Sequence, residues 1–171
     1  MKKIIACLLL FFSSAVLYAQ QNVVFKSYSD AKEKVSIKYP ATWTKIPYSE
    51  AVFKFARPVE EQGQRLRENM ILVVGPAQDL ALIEYLEDAR RKYKESIPDF
   101  RELKSQFIKI NGIDFVRMVY QFPNSGLMIK SVLYLAVHND KAYSLNFNAL
   151  NTTFDKYYPL FQKMAESFKI K

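Results

Sequence analysis

Catalysis needs a nucleophile, a base or a metal, and this sequence is poor in all three. Its one histidine, His138, falls in a predicted turn beside Asn139 and Asp140. A Ser-His-Asp relay or a histidine metal site has only that imidazole to build on, with no Gly-x-Ser-x-Gly turn and no His-x-x-x-His helix in the chain. It reads as a solvent-exposed turn residue. The one cysteine, Cys7, lies in the leader described below, so a thiolate nucleophile, a disulfide framework and a cysteine-ligated metal are not expected either. No glycine-rich phosphate loop is present. Paired carboxylates can do acid–base work unaided, but Glu60-Glu61, Glu84, Glu87-Asp88 and Glu102 fall on a charged loop or a polar helix side, where nothing raises a pKa. The expectation is a protein that is not an enzyme and carries no cofactor or metal.

What the residues offer instead is positive charge on a sheet. Closing a hairpin across Asn111-Gly112 sets Gln106 opposite Arg117 and Lys104 opposite Val119. Closing the next across Pro123 to Gly126 sets Val119 opposite Lys130. Side chains alternate between faces, so Lys104, Gln106, Arg117, Gln121 and Lys130 point to one side, and Lys104, Arg117 and Lys130 are the candidate binding residues. A basic group of this kind can receive an anion, or it can be the solvated side of an antiparallel sheet.

The elements that must hold these residues can be traced in order. Val23–Tyr28 and Val35–Tyr39 alternate around the polar break at 29–33 and predict a hairpin, stopped by Pro40, which has no N–H to donate. Ala51–Ala56 and Met70–Val74 predict two more strands around Arg57–Asn69, a charged, unpatterned stretch with the features of a mobile loop. From Asp79 to Ile97 the period changes: Leu82, Ile83, Leu86, Ala89, Tyr93 and Ile97 share one helix face, with Asp79 as N-cap and Pro98 as the stop. Its basic run, residues 90–94, is offset by Glu87 with Arg91, Asp88 with Lys92 and Arg91 with Glu95, each four apart. Phe100–Ile110, Ile113–Phe122, Leu127–Val137 and Ala142–Asn148 predict a four-stranded meander. A final helix over Thr152–Phe168 carries Phe154, Tyr157, Tyr158, Phe161, Ala165 and Phe168 on one face, with Asn151 or Thr152 as cap and Pro159 either starting its main part or bending it.

The ends set the compartment. Lys2 and Lys3 precede an uncharged run, Ile4 to Ala19, followed by Gln20-Gln21, which is the order of a signal peptide over residues 1–19, with a single domain over 20–171. Export to the periplasm or beyond is therefore expected. Losing Lys2 and Lys3 takes the balance from +8 to +6. In that compartment an unknown protein partner or an anionic envelope component fits the surplus better than nucleic acid, and a small apolar or anionic ligand held between sheet and helix is the alternative. Aromatics make up 15% of the chain. Most fall on the faces that carry Leu and Ile, as Tyr143, Leu145 and Phe147 do, so core packing accounts for them.

Val35-Ser36-Ile37-Lys38-Tyr39-Pro40 with Trp43, Asn111-Gly112 before the meander, and Ala165-Glu166-Ser167-Phe168-Lys169-Ile170 at the end together resemble the PsbP-like family, including its bacterial members of unknown function. The resemblance covers nearly the whole chain after the leader. It implies an α+β fold, an α/β/α sandwich around a central antiparallel sheet, with Trp43 closing the core. Plant and cyanobacterial members are extrinsic photosystem II subunits that help retain calcium and chloride, and a eukaryotic relative binds the Ran GTPase. The shared implication is docking to a larger partner without catalysis, and no residue here carries over the photosystem role.

Overall fold

Three tight turns of one kind set the sheet. Asn111-Gly112, Ser125-Gly126 and Asn139-Asp140 all have positive φ at both central residues, the conformation whose twist matches the strands it joins. They link β6 (Arg101–Ile110), β7 (Ile113–Asn124), β8 (Leu127–His138) and β9 (Lys141–Leu150) into an antiparallel meander. A computed structural model describes residues 23–60 and 62–171. The expected signal peptide, residues 1–19, lies outside the described residues, as does Glu61. No helix among the described residues is long and apolar enough to cross a membrane.

The meander is extended through β9 by β5 (Asn69–Pro76), β4 (Phe53–Ala56) and the short β3 (Thr44–Lys45), giving a seven-stranded sheet of order β3-β4-β5-β9-β8-β7-β6. β1 (Phe25–Asp30) and β2 (Val35–Pro40) form the expected hairpin, which builds a separate three-stranded sheet with β10 (Lys169–Ile170). Pro40 is the last residue of β2. Trp43, whose N–H bonds back to the Pro40 carbonyl at 2.9 Å, is buried in the main core beside Phe53, Phe55 and Met70, as core closure requires.

The two helices cover opposite faces of the large sheet, so the fold is an α/β/α sandwich. α1 (Leu82–Ser96) sets Leu86 on Val116, Met118, Tyr120, Leu133 and Leu135. α2 (Phe154–Glu166) drives Phe154, Phe161, Met164 and Ala165 against Val132, Tyr134, Leu145 and Phe147. β8, covered on both faces, is buried at every position from Ser131 to Ala136. Its run VLYLA loses the polar alternation of a one-sided strand for that reason.

Three expectations are corrected. Asp79 is not the N-cap: it and Gln78 both have positive φ, the helix starts at Leu82, and the Glu84 carboxylate accepts the Ala81 N–H at 2.8 Å. Neither Asn151 nor Thr152 caps α2; Thr153 occupies that position and turns its hydroxyl to Glu68. The β7–β8 turn is Ser125-Gly126 alone, with Pro123 paired to Met128, so Lys130 lies opposite Gln121 and not Val119. A slip of two residues preserves the face of every side chain.

Candidate functional site

The basic side chains do share a face, the one that α2 partly covers. Rows across the sheet run Arg101–Gln121–Lys130, Lys104–Val119–Val132 and Gln106–Arg117–Tyr134. α2 packs over β8 and β9; on the β6–β7 margin Ile110 and Phe115 are still buried near the Asn111-Gly112 turn, and an exposed strip opens farther along, toward Lys104 and Arg101. Lys104 and Arg117 lie on that strip, Lys104 exposed and Arg117 half-buried, and neither forms an ion pair among the described residues. Burial raises the pKa of the Tyr134 hydroxyl against the opposing pull of Arg117, so the tyrosine stays neutral beside the guanidinium.

Lys130 is not free. Its Nζ bonds Asp155 of α2 at 3.0 Å and lies 4.7 Å from the Phe154 ring centroid. With a side chain 19% exposed, it pins the first turn of α2 to β8. The structure therefore divides the three candidates into two surface cations and one strut. Arg101, in the same row as Lys130 and exposed, joins the strip in its place. It was hidden in the sequence by the bulge between Glu102 and Lys104, which shifts the register that places it.

The basic run of α1 is locally neutralised, with one change of partner. Lys92 reaches Asp88 at 2.7 Å and Arg91 reaches Glu95 at 3.5 Å, as the spacing predicts. Glu87 pairs with Arg90, not Arg91, because Asp88 has taken Arg91. Arg90 also crosses to β6, where Nε and Nη2 bond both oxygens of Glu102 at 2.8 and 2.7 Å and Nη2 bonds Ser105 at 2.8 Å. That bidentate grip holds the Glu102 carboxyl below its ordinary pKa, against burial, which raises it.

The loop after β4 is tied down at its root. Arg57 Nε bonds Glu68 Oε2 at 2.7 Å, the Thr153 hydroxyl donates to Glu68 Oε1 at 2.8 Å, and Glu60 approaches Arg57 Nη1. Burial disfavours the charge on Arg57, but the carboxylates of Glu60 and Glu68 outweigh it and hold the pKa above its usual value. A cleft of about 320 Å³ opens beside it, lined by Arg57, Glu60, Gln62, Gly63, Gln64 and Leu150. Both carboxylates come from this chain, so the arginine is an internal anchor with its anion already supplied. Sequence spacing gives no sign of this cluster, since Thr153 joins it from across the fold.

Among the described residues no group of three or more His, Cys, Asp or Glu is placed to hold a metal. His138 pairs with Lys141 at the mouth of the β8–β9 turn. The space between α2 and the sheet is filled by Phe147, Phe154, Phe161 and Met164, each at most 2% exposed.

No family profile and no curated protein matches this chain by sequence. Solved structures do. Cyanobacterial PsbP, CyanoP, from Synechocystis sp. PCC 6803 superposes with a TM-score of 0.67 at 13% identity over 90% of this chain and 96% of that one. The Ran-binding protein Mog1p of Saccharomyces cerevisiae gives 0.63 at 12% identity, over 86% and 96%. LpqN of Mycobacterium tuberculosis, involved in cell envelope biogenesis, gives 0.61 at 12% identity, over 88% and 92%. At such identities the likeness speaks for architecture, and it agrees with the strand order and the two opposed helices: the chain has the PsbP-like fold.

Proposed function

We propose that this protein is an exported, non-catalytic interaction module that docks to a protein or an anionic component of the cell envelope. The observation that carries the reading is the uncovered strip at the β6–β7 margin, where Arg101, Lys104 and Arg117 stand without carboxylate partners among the described residues. The acidic groups of β6 and β7 themselves are already engaged, Glu102 by Arg90 and Asp114 by Lys109. Charge left uncompensated on a rigid sheet steers association with an anionic surface. Export rests on the order of residues 1–21, and docking accords with a fold that Mog1p, a Ran-binding protein, also uses.

The test is recovery of partners from envelope extracts by the tagged chain, with Arg117→Glu and Lys104→Glu beside the parent. The expected result is a partner released by moderate salt and lost with either reversal. Recovery unchanged by both removes the strip from the reading. Fractionation of the native protein, with its N-terminal mass, checks export: cleavage after Ala19 is expected, and an intact leader on a cytoplasmic protein overturns it.

A further inference from the structure

The strip ends at β6, and β6 ends the sheet. It is the terminal strand of the seven and pairs only with β7, so its outer edge has no strand beside it. Which backbone groups face outward follows from the Asn111-Gly112 turn. In a two-residue hairpin the pair flanking the turn, Ile110 and Ile113, is hydrogen-bonded. The alternation then directs the N–H and C=O of Ser105, Phe107 and Lys109 away from β7. Register is unbroken from Lys104 to Ile110, so this edge is regular along its length.

The side chains of the edge match its open backbone. Phe107 is 63% exposed and Leu103, at the bulge, 41%. A bulge and lysines guard free edges against pairing, and that accounts for Lys104 and the Glu102–Lys104 irregularity. It does not account for Phe107, a ring in water at the centre of the regular stretch, on one of the residues whose backbone faces out.

We infer that β6 accepts an extended, acidic segment of a partner polypeptide as an added strand, with Phe107 as its apolar anchor and Arg101, Lys104 and Arg117 as its charge partners. The inference rests on the docking reading and names its surface. Strand addition draws affinity from backbone hydrogen bonds and specificity from alternate side chains. The charge selects the occupant. A second copy of this chain brings its own Arg101 and Lys104 to the same edge, which repels, whereas a run of Asp or Glu is complementary.

The experiment uses residues 20–171, which contain every described element. It employs two pools of synthetic peptides about ten residues long, the length of a long strand. One pool alternates Asp or Glu with Val, Ile, Thr or Tyr; the other replaces the acids by Lys. Binding is read by fluorescence anisotropy, and position by amide hydrogen exchange in NMR. Expected are binding of acidic members only, and slowed exchange at Ser105, Phe107 and Lys109. Phe107→Glu and Lys104→Glu should each weaken affinity by about fivefold or more, as loss of an anchor does. Phe107→Ser serves as a second variant that leaves the charge unchanged. Equal binding of both pools, or of neither, overturns the inference. Protection appearing in residues 57–69 instead also overturns it, yet leaves the docking reading standing. A dimer in sedimentation that Phe107→Ser dissolves shows a second copy to be the occupant and overturns the acidic segment. If partner recovery from extracts is insensitive to Arg117, Lys104 and Phe107 alike, the docking reading itself fails at this surface.

Discussion

Single residues in this fold show how the same side-chain type is put to different uses. Glu102 and Glu68 are both gripped by an arginine, Glu102 by Arg90 and Glu68 by Arg57. For Glu102 the folded pKa is depressed by Arg90, so the folded state binds a proton less readily than the unfolded one. Its stabilisation is complete above the ordinary glutamate range near pH ~4 and is lost as pH falls below that range through the folded value. Glu102→Gln should thus lower the urea midpoint at neutral pH by an amount equivalent to about 1 kcal/mol, partial exposure tempering the pair, and the difference from the parent should shrink in acid. Urea titrations across pH 2 to 7 give the answer, and a constant gap refutes it. Glu68, 4% exposed, is the more costly loss. Glu68→Ala leaves Arg57 without its buried partner and Thr153 without its acceptor, and should cost on the order of 3 kcal/mol by chemical denaturation. Neither arginine grip is legible in sequence, because each joins residues on different elements. Trp43 is the opposite case. A large apolar residue just past a strand-ending proline points inward, and the structure buries it.

At the scale of elements, periodicity and turn chemistry carried most of the fold. The two helices, the first hairpin and all four meander strands lie where alternation and the three-to-four step place them. The failures were at joints. Asp79 has the chemistry of a cap, but its positive φ takes its side chain out of position, a backbone fact that composition does not carry. The Ser125-Gly126 turn lets Pro123 remain in the strand, where a proline is ordinarily read as a stop. Asn111 is a turn residue that also ties down a distant element. Its Nδ2 donates to the carbonyls of Phe168 at 2.7 Å and Glu166 at 3.2 Å, satisfying the end of α2. Asn111→Gly keeps the positive φ and removes only those bonds. The expected outcome is an intact meander, a loss of about 1 kcal/mol and faster amide exchange confined to the last turn of α2 and β10. Exchange that quickens equally in β6 and β7 points to the turn itself.

Across the whole molecule, the candidate surface is only half visible in the sequence. Alternation puts Lys104, Arg117 and Lys130 on one face, and they are there. What alternation does not report is where a helix will lie, so it could not tell that α2 claims Lys130 and leaves the other two. The exposure of Phe107 was equally hidden, since only the completed strand order shows β6 to be an edge. The small sheet is the other long-range product. β10 pairs Lys169 with Ser36 and Ile170 with Val35, the Lys171 N–H bonds the Lys34 carbonyl at 2.8 Å, and Ser167 Oγ accepts the Lys38 N–H at 2.9 Å. Removing residues 169–171 while keeping the buried Phe168 should leave the seven-stranded sheet folded and speed exchange in β1 and β2. Uniform loss of protection across both sheets instead means the two are one cooperative unit.

That closure has a consequence in time. β1 and β2 are the first strands to be made and can pair locally as soon as residue 40 exists, but their third strand is residues 169–170. A chain emerging in order from a ribosome or a translocation pore carries an unfinished β1–β2 hairpin until residues 169–170 have appeared. Completion of the first sheet is a signal that the last strand has arrived.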